Sequence, residues 1–142
     1  MAAHFFFYSS AFKPRPGELD DTHQDYINPD VFALDLADFL VSSLESKGYT
    51  VKFRCQEDWG HWVEFDHPGD FKLALGCSNL SGDNDSDDAT EEHHVLTFPD
   101  KPYVRKWFRK IDVREDVEAL SAAVHETLNS DARITKLRVE HD

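Results

Sequence analysis

A chain of 142 residues with 15 basic and 28 acidic side chains carries a formal charge of −13, while 40% of its residues are apolar and 13% aromatic. The size suits a single domain, 1–142, able to bury about two thirds of its unfolded surface, and the apolar share is too large for a disordered chain. The negative excess argues against general nucleic-acid binding and against a membrane, because a polyanionic surface repels it unless a local basic patch overcomes the field.

The opening MAAHFFFYSSAF lacks the basic and leucine-like regions of a signal peptide, and nowhere do about 18 apolar residues run together. A soluble, cytoplasmic protein is expected. His4 to Ser10, HFFFYSS, places aromatic residues consecutively, which predicts a strand inside a sheet and covered on both faces. Residues 13–28 follow with two prolines, a glycine and four acids (Glu18, Asp20, Asp21 and Asp25), the composition of a long surface loop.

Asn28, Pro29 and Asp30 read as a helix start, with the asparagine as cap and the acid at the positive dipole end. The helix is expected to reach Lys47, bury Phe32, Leu36, Phe39, Leu40 and Leu44, and stop at Gly48. From Tyr49 the period becomes two: Val51, Phe53 and Cys55 share one face, and Lys52, Arg54 and Gln56 the other, wet one. Three antiparallel strands with turns near Gly60 and Pro68-Gly69 are predicted, the third placing Phe71, Leu73, Leu75 and Cys77 on one side. Cys55 and Cys77 are expected to fill core positions as small apolar thiols, a disulfide being unforced.

Residues 81–93 are almost wholly polar and predict a second surface loop. A strand HVLTF follows, with Leu96 and Phe98 inward. The segment KPYVRKWFRK from Lys101 to Lys110 holds five of the basic residues. It is read as a short amphipathic turn in which Val104, Trp107 and Phe108 anchor to the core, in preference to a nucleic-acid patch. Asp112 and Glu115 suggest a capping box for a second helix that buries Val113, Val117, Leu120, Val124 and Leu128, and RITKLRV closes the chain as a partly exposed strand. The order strand, helix, four strands, helix, strand predicts an α+β two-layer sandwich: a mostly antiparallel sheet of five to six strands with two main helices packed on one face.

Among possible sites, QEDWGHWVEF from Gln56 to Phe65 contains the residue types of a metal-dependent hydrolase, using Glu57, Asp58, His61 and Asp66. The spacing does not favour it: His61 and His67 on an extended strand lie about 20 Å apart. A hairpin is preferred, its glycine at positive φ and Trp59 and Trp62 packed over the neighbouring strands or helix, with Trp59 the candidate interface anchor. Asp83, Asp85 and Asp87 occupy alternate positions of a calcium loop, but Asp88 stands where glycine is needed and His94 where a bidentate glutamate is needed. Adjacent His93 and His94 point to opposite faces of a strand. No catalytic residue, metal ligand or cofactor is assigned, since no nucleophile elbow and no glycine-rich phosphate loop occurs.

The KGY helix end, a strand and then EDWGHW resemble a group of small uncharacterised bacterial proteins in which EDWGW follows the first strand after a helix. The resemblance spans roughly residues 36–75 and implies no activity. Here His61 separates Gly60 from Trp62, so the tryptophan spacing departs from that form.

Dense carboxylates complement a cationic surface and speed encounter with it. The expected function is therefore a non-enzymatic, acidic protein-binding module, such as an immunity or antagonist protein covering a basic toxin or nuclease. Its candidate contacts are Glu18, Asp20, Asp21, Asp25, Trp59, Asp83, Asp85, Asp87, Asp88, Glu91 and Glu92. The alternative is the hydrolase above.

Overall fold

The computed structural model describes residues 2–80 and 90–141. Strand β1 (Ala3–Ser9) alternates strictly, with Ala3, Phe5, Phe7 and Ser9 buried and His4, Phe6 and Tyr8 half-buried on the other face. A single turn, α1 (Pro16–Leu19), interrupts the following loop, and α2 (Leu34–Ser46) crosses the sheet. Strands β2 (Val51–Glu57), β3 (Gly60–Phe65), β4 (Leu73–Asn79) and β5 (Glu91–Phe98) then run antiparallel in sequence. A small hairpin, β6 (Tyr103–Lys106) with β7 (Arg109–Asp112), precedes α3 (Arg114–Asn129) and the last strand, β8 (Thr135–His141).

The chain is an α+β protein whose main sheet has the order β2-β3-β4-β5-β1-β8. β1 pairs antiparallel with both β5 and β8, so α3 carries the chain over β1 to a strand parallel to β5. Both long helices contact the sheet on one face and each other. Leu36, Leu40 and Leu44 of α2 and Val117, Leu120, Val124 and Leu128 of α3 are buried against Phe5, Phe7, Val63, Phe65, Leu75 and Val95. Gly48 ends α2 at φ 100°, a conformation that costs a side-chain-bearing residue more. None of the described helices is long and apolar enough to cross a membrane.

α2 begins at Leu34, six residues later than its local signal at Asn28 suggests. Asn28 instead donates its side-chain amide to the Asp58 carbonyl, and the Asn79 side chain holds the chain at Asp30 and Phe32. The first free amides of the helix, Ala33 and Leu34, are taken by Glu18 Oε2 at 2.9 and 3.3 Å, while Oε1 accepts from Arg15 N. Glu18, only 2% exposed, is thus a helix cap brought from a distant part of the chain and not a surface contact, which corrects its expected role.

Two strands carry their side chains on the faces opposite to those expected. A bulge between Val51 and Phe53 leaves Val51 packed on the core but turns Phe53, Cys55 and Glu57 to the helix-free face, and Arg54 and Gln56 to the helix side. In β5, His93, Val95 and Thr97 are the buried set, while Leu96 and Phe98 lie on the helix-free face. β1 is inside the sheet as expected, but among the described residues no helix or strand covers its second face. His4 and His94 stack there with Phe6, and the Arg138 guanidinium lies 4.6 Å from the Phe6 ring centre.

Candidate interaction surfaces

The helix-free face of β2 to β5 is an aromatic floor. Trp59, at the β2–β3 turn, lays its ring over Gly76 of β4, where an added Cβ would stand 2.8 Å from Trp59 Cη2. Trp62 and Phe98 pack beside it with ring centres 5.0 Å apart. Trp59 remains 44% exposed and Phe53 51%. A groove of about 520 Å³ lies among Trp59, Gly76, Leu80, Leu96 and Phe98, and a wider hollow of about 740 Å³ among Phe53, Cys55, Trp62 and Glu64. Gly60 lets β3 start against β4: a Cβ there would be 2.1 Å from the Cys77 carbonyl oxygen. The Trp59 turn is therefore both the hairpin packed on its neighbour and a partly open aromatic surface.

The acidic 20–28 loop is tied to that turn. Gln56 Nε2 donates to the Asp25 carbonyl at 2.9 Å, which together with the Asn28 to Asp58 bond ties the 20–28 loop to the β2–β3 connection. Asp20 and Asp21 are exposed and Asp25 partly so. The Asp20 carboxylate caps a turn by accepting from the Thr22 hydroxyl and amide, contacts that hold its pKa below the usual value. Glu91 and Glu92, expected in a loop, belong to β5 and face β1 at Ser9 and Tyr8, and Glu92 pairs with Arg138 at 3.3 Å. Asp83, Asp85, Asp87 and Asp88 lie outside the described residues. Leu80 and Thr90, on either side of that segment, belong to the Trp59 end of the sheet: Leu80 lines the Trp59 groove and its amide donates to Glu92 O.

Glu57, Asp58, His61 and Asp66 do not converge, which corrects the hydrolase reading. Glu57 is on the helix-free face and accepts from Cys55 Sγ, whereas His61 is buried on the helix side. Asp66 sits at the other end of β3, about 16 Å along an extended strand. His61 Nε2 accepts from Arg54 Nε at 3.0 Å, so the proton is on Nδ1, which donates to Gln56 Oε1 at 2.6 Å. Burial and the Arg54 charge push its pKa down to about 4, and Arg54 continues to Asp38, which Arg15 also meets. This chain of contacts fastens α2 to β2. Among the described residues no group of three or more His, Cys, Asp or Glu is placed to hold a metal ion.

Cys77 is buried, its thiol pushed up to about 12 by burial, whereas Cys55 lies on the opposite face and half-exposed, so the two are separate free thiols. His93 and His94 do diverge: His94 stacks on Phe6, and His93 is fully buried between Phe7, Phe12 and Phe32.

At the far end of the sheet the β6–β7 hairpin overturns the expectation for KPYVRKWFRK. Val104 packs on the core, but Trp107 and Phe108 form the two-residue tip and are 88% and 101% exposed. Trp107 has φ 57°, a conformation that a bulky residue adopts at a cost. Asp70 of the β3–β4 connection holds the hairpin through Lys106 Nζ and through Arg109 at 2.8 Å. The one available signal was the basic-aromatic interleaving of the segment; its period fitted a buried turn equally well. No family model, curated protein or solved structure matches this chain.

Proposed function

We propose that the protein is a non-enzymatic binding module that presents its acidic, Trp59-bearing end to a basic protein partner, as an immunity or antagonist protein covers a cationic toxin or nuclease. The observation supporting this reading is the pair of hydrogen bonds that tie the acidic 20–28 loop to the turn bearing Glu57, Asp58 and a tryptophan that is 44% exposed beside an aromatic groove. A desolvated aromatic anchor supplies binding energy, and surrounding carboxylates raise the encounter rate with a cationic partner.

The test is affinity capture from host lysate at low and moderate salt, followed by titration of the purified captured protein against Trp59→Ser and the Asp20→Asn/Asp21→Asn/Asp25→Asn variant. A basic protein is expected whose dissociation accelerates with Trp59→Ser and whose association slows with the neutralised loop. A captured protein that binds both variants with unchanged rates overturns the reading.

A further inference from the structure

We propose that the β6–β7 hairpin is a peripheral anchor for an anionic lipid surface, with Trp107 and Phe108 entering the headgroup region and the cations behind them meeting lipid phosphates. The proposal concerns the end of the molecule opposite the acidic Trp59 region. Nothing in the described fold covers either tip side chain, and together they form the most exposed aromatic pair of the described chain.

The strand residues behind the tip oppose like charges. Arg105 lies directly across from Lys110, and Lys106 across from Arg109. Such pairs weaken a hairpin. Asp70 offsets one of the two charges of the second pair, and Lys110 sits 4.0 Å over the Tyr103 ring, but Arg105 has no ion-pair partner among the described residues. Trp107 also holds the positive-φ position that tight hairpins give to glycine. Cationic flanks, an unfavourable turn residue and two bare rings are each costly to the isolated hairpin and each favourable at an anionic interface, where aromatic rings settle among headgroups and basic side chains reach phosphates.

The overall charge of −13 does not oppose this contact. The acids of the β2–β3 turn, Glu57 and Asp58, stand at the other end of β3 from the β3–β4 connection that holds the hairpin, about 16 Å along an extended strand and about twice the screening length of about 8 Å at physiological salt. A lipid surface approached tip-first meets Trp107 and Phe108 first, since they are the most exposed aromatic side chains of the described chain. A nucleic acid is a poorer fit, because an extended polyanion lying along the base of the hairpin and the start of α3 meets Asp112, Glu115, Asp116 and Glu118 with Arg114 the one cation among them. Docking the acidic end of a second copy on the tip yields open head-to-tail polymers unless a ring closes.

The experiment is co-sedimentation of the full chain with phosphatidylglycerol/phosphatidylcholine vesicles and with pure phosphatidylcholine vesicles, at low and high salt. Binding is expected only to the anionic vesicles and to weaken with salt. Trp107→Ser/Phe108→Ser should lower vesicle affinity by at least about tenfold with an unchanged circular dichroism spectrum. Arg105→Glu/Lys110→Glu, which leaves the rings in place, should remove the dependence on anionic lipid. Absence of vesicle binding overturns the proposal, as does equal binding by the Trp107→Ser/Phe108→Ser variant. Tip-dependent self-association or RNA-oligonucleotide binding in place of vesicle binding overturns it in favour of those occupants.

Discussion

The Trp59 indole occupies the space that a side chain on Gly76 would need: a Cβ there would stand 2.8 Å from Cη2 and 3.0 Å from Cζ3. Gly76→Ala is therefore expected to lower stability by about 1–3 kcal/mol, the range for overpacking, in equilibrium urea unfolding. In a Trp59→Ser background most of that cost should vanish, because the ring that collides is gone. An undiminished cost in the double variant would place the conflict at Phe98, 3.2 Å from the same point.

Glu18 gives a second stability test. Its two oxygens accept from three backbone amides, those of Arg15, Ala33 and Leu34, in a buried setting. Glu18→Ala should destabilise by at least about 2 kcal/mol, since buried donors left without acceptors each cost about 1–3. Asp21→Ala, on the exposed part of the same loop, should change stability by less than about 0.5 kcal/mol. Thermal and urea unfolding of the two variants check the contrast. Equal effects would mean that Glu18 does not cap α2.

The long helices were readable because one apolar stripe at helical spacing has a single way to be buried; Leu36, Leu40 and Leu44 show it. Strand alternation states a period but not which face is inside. Where both faces carry apolar residues, as in β5 with Val95 and Leu96, the choice belongs to the sheet, and the one-residue bulge at β2 reverses Phe53 outright. Glu18 was indistinguishable from its neighbours Asp20 and Asp21 because its role comes from contact with Ala33 and Leu34, fifteen and sixteen residues on. Trp107 and Phe108 misled for the opposite reason: large aromatic residues are normally buried, and here a two-residue turn leaves them in solvent.

Acid sensitivity follows from His61 and His93. Burial pushes both pKa values from 6.5 to about 4. Each ring then binds its proton less readily folded than unfolded, so the stability present above about pH 6.5 is lost as pH falls toward 4. At pH 5 the loss is on the order of 2 kcal/mol for each histidine. Urea unfolding at pH 7 and pH 5 should show a drop, and His93→Leu should remove about half of it whatever its effect at pH 7. A pH difference unaltered by His93→Leu would assign the acid response elsewhere.

Asp70 is expected to govern the order of the hairpin without governing the fold. Its two carboxylate oxygens meet Lys106 and Arg109, which face each other across the two strands, so removing its charge leaves two cations opposed beside the tip. Exposed ion pairs contribute little to global stability, so Asp70→Asn should leave the urea-unfolding midpoint of the chain nearly unchanged. Local opening is a separate quantity, because the hairpin is attached chiefly through Val104 and Ile111. Hydrogen exchange should therefore accelerate over residues 103–112 and stay unchanged in β4 and α3. Added salt should reverse part of the acceleration by screening the Lys106–Arg109 repulsion. Unchanged exchange in the hairpin would mean that Val104 and Ile111 hold it unaided.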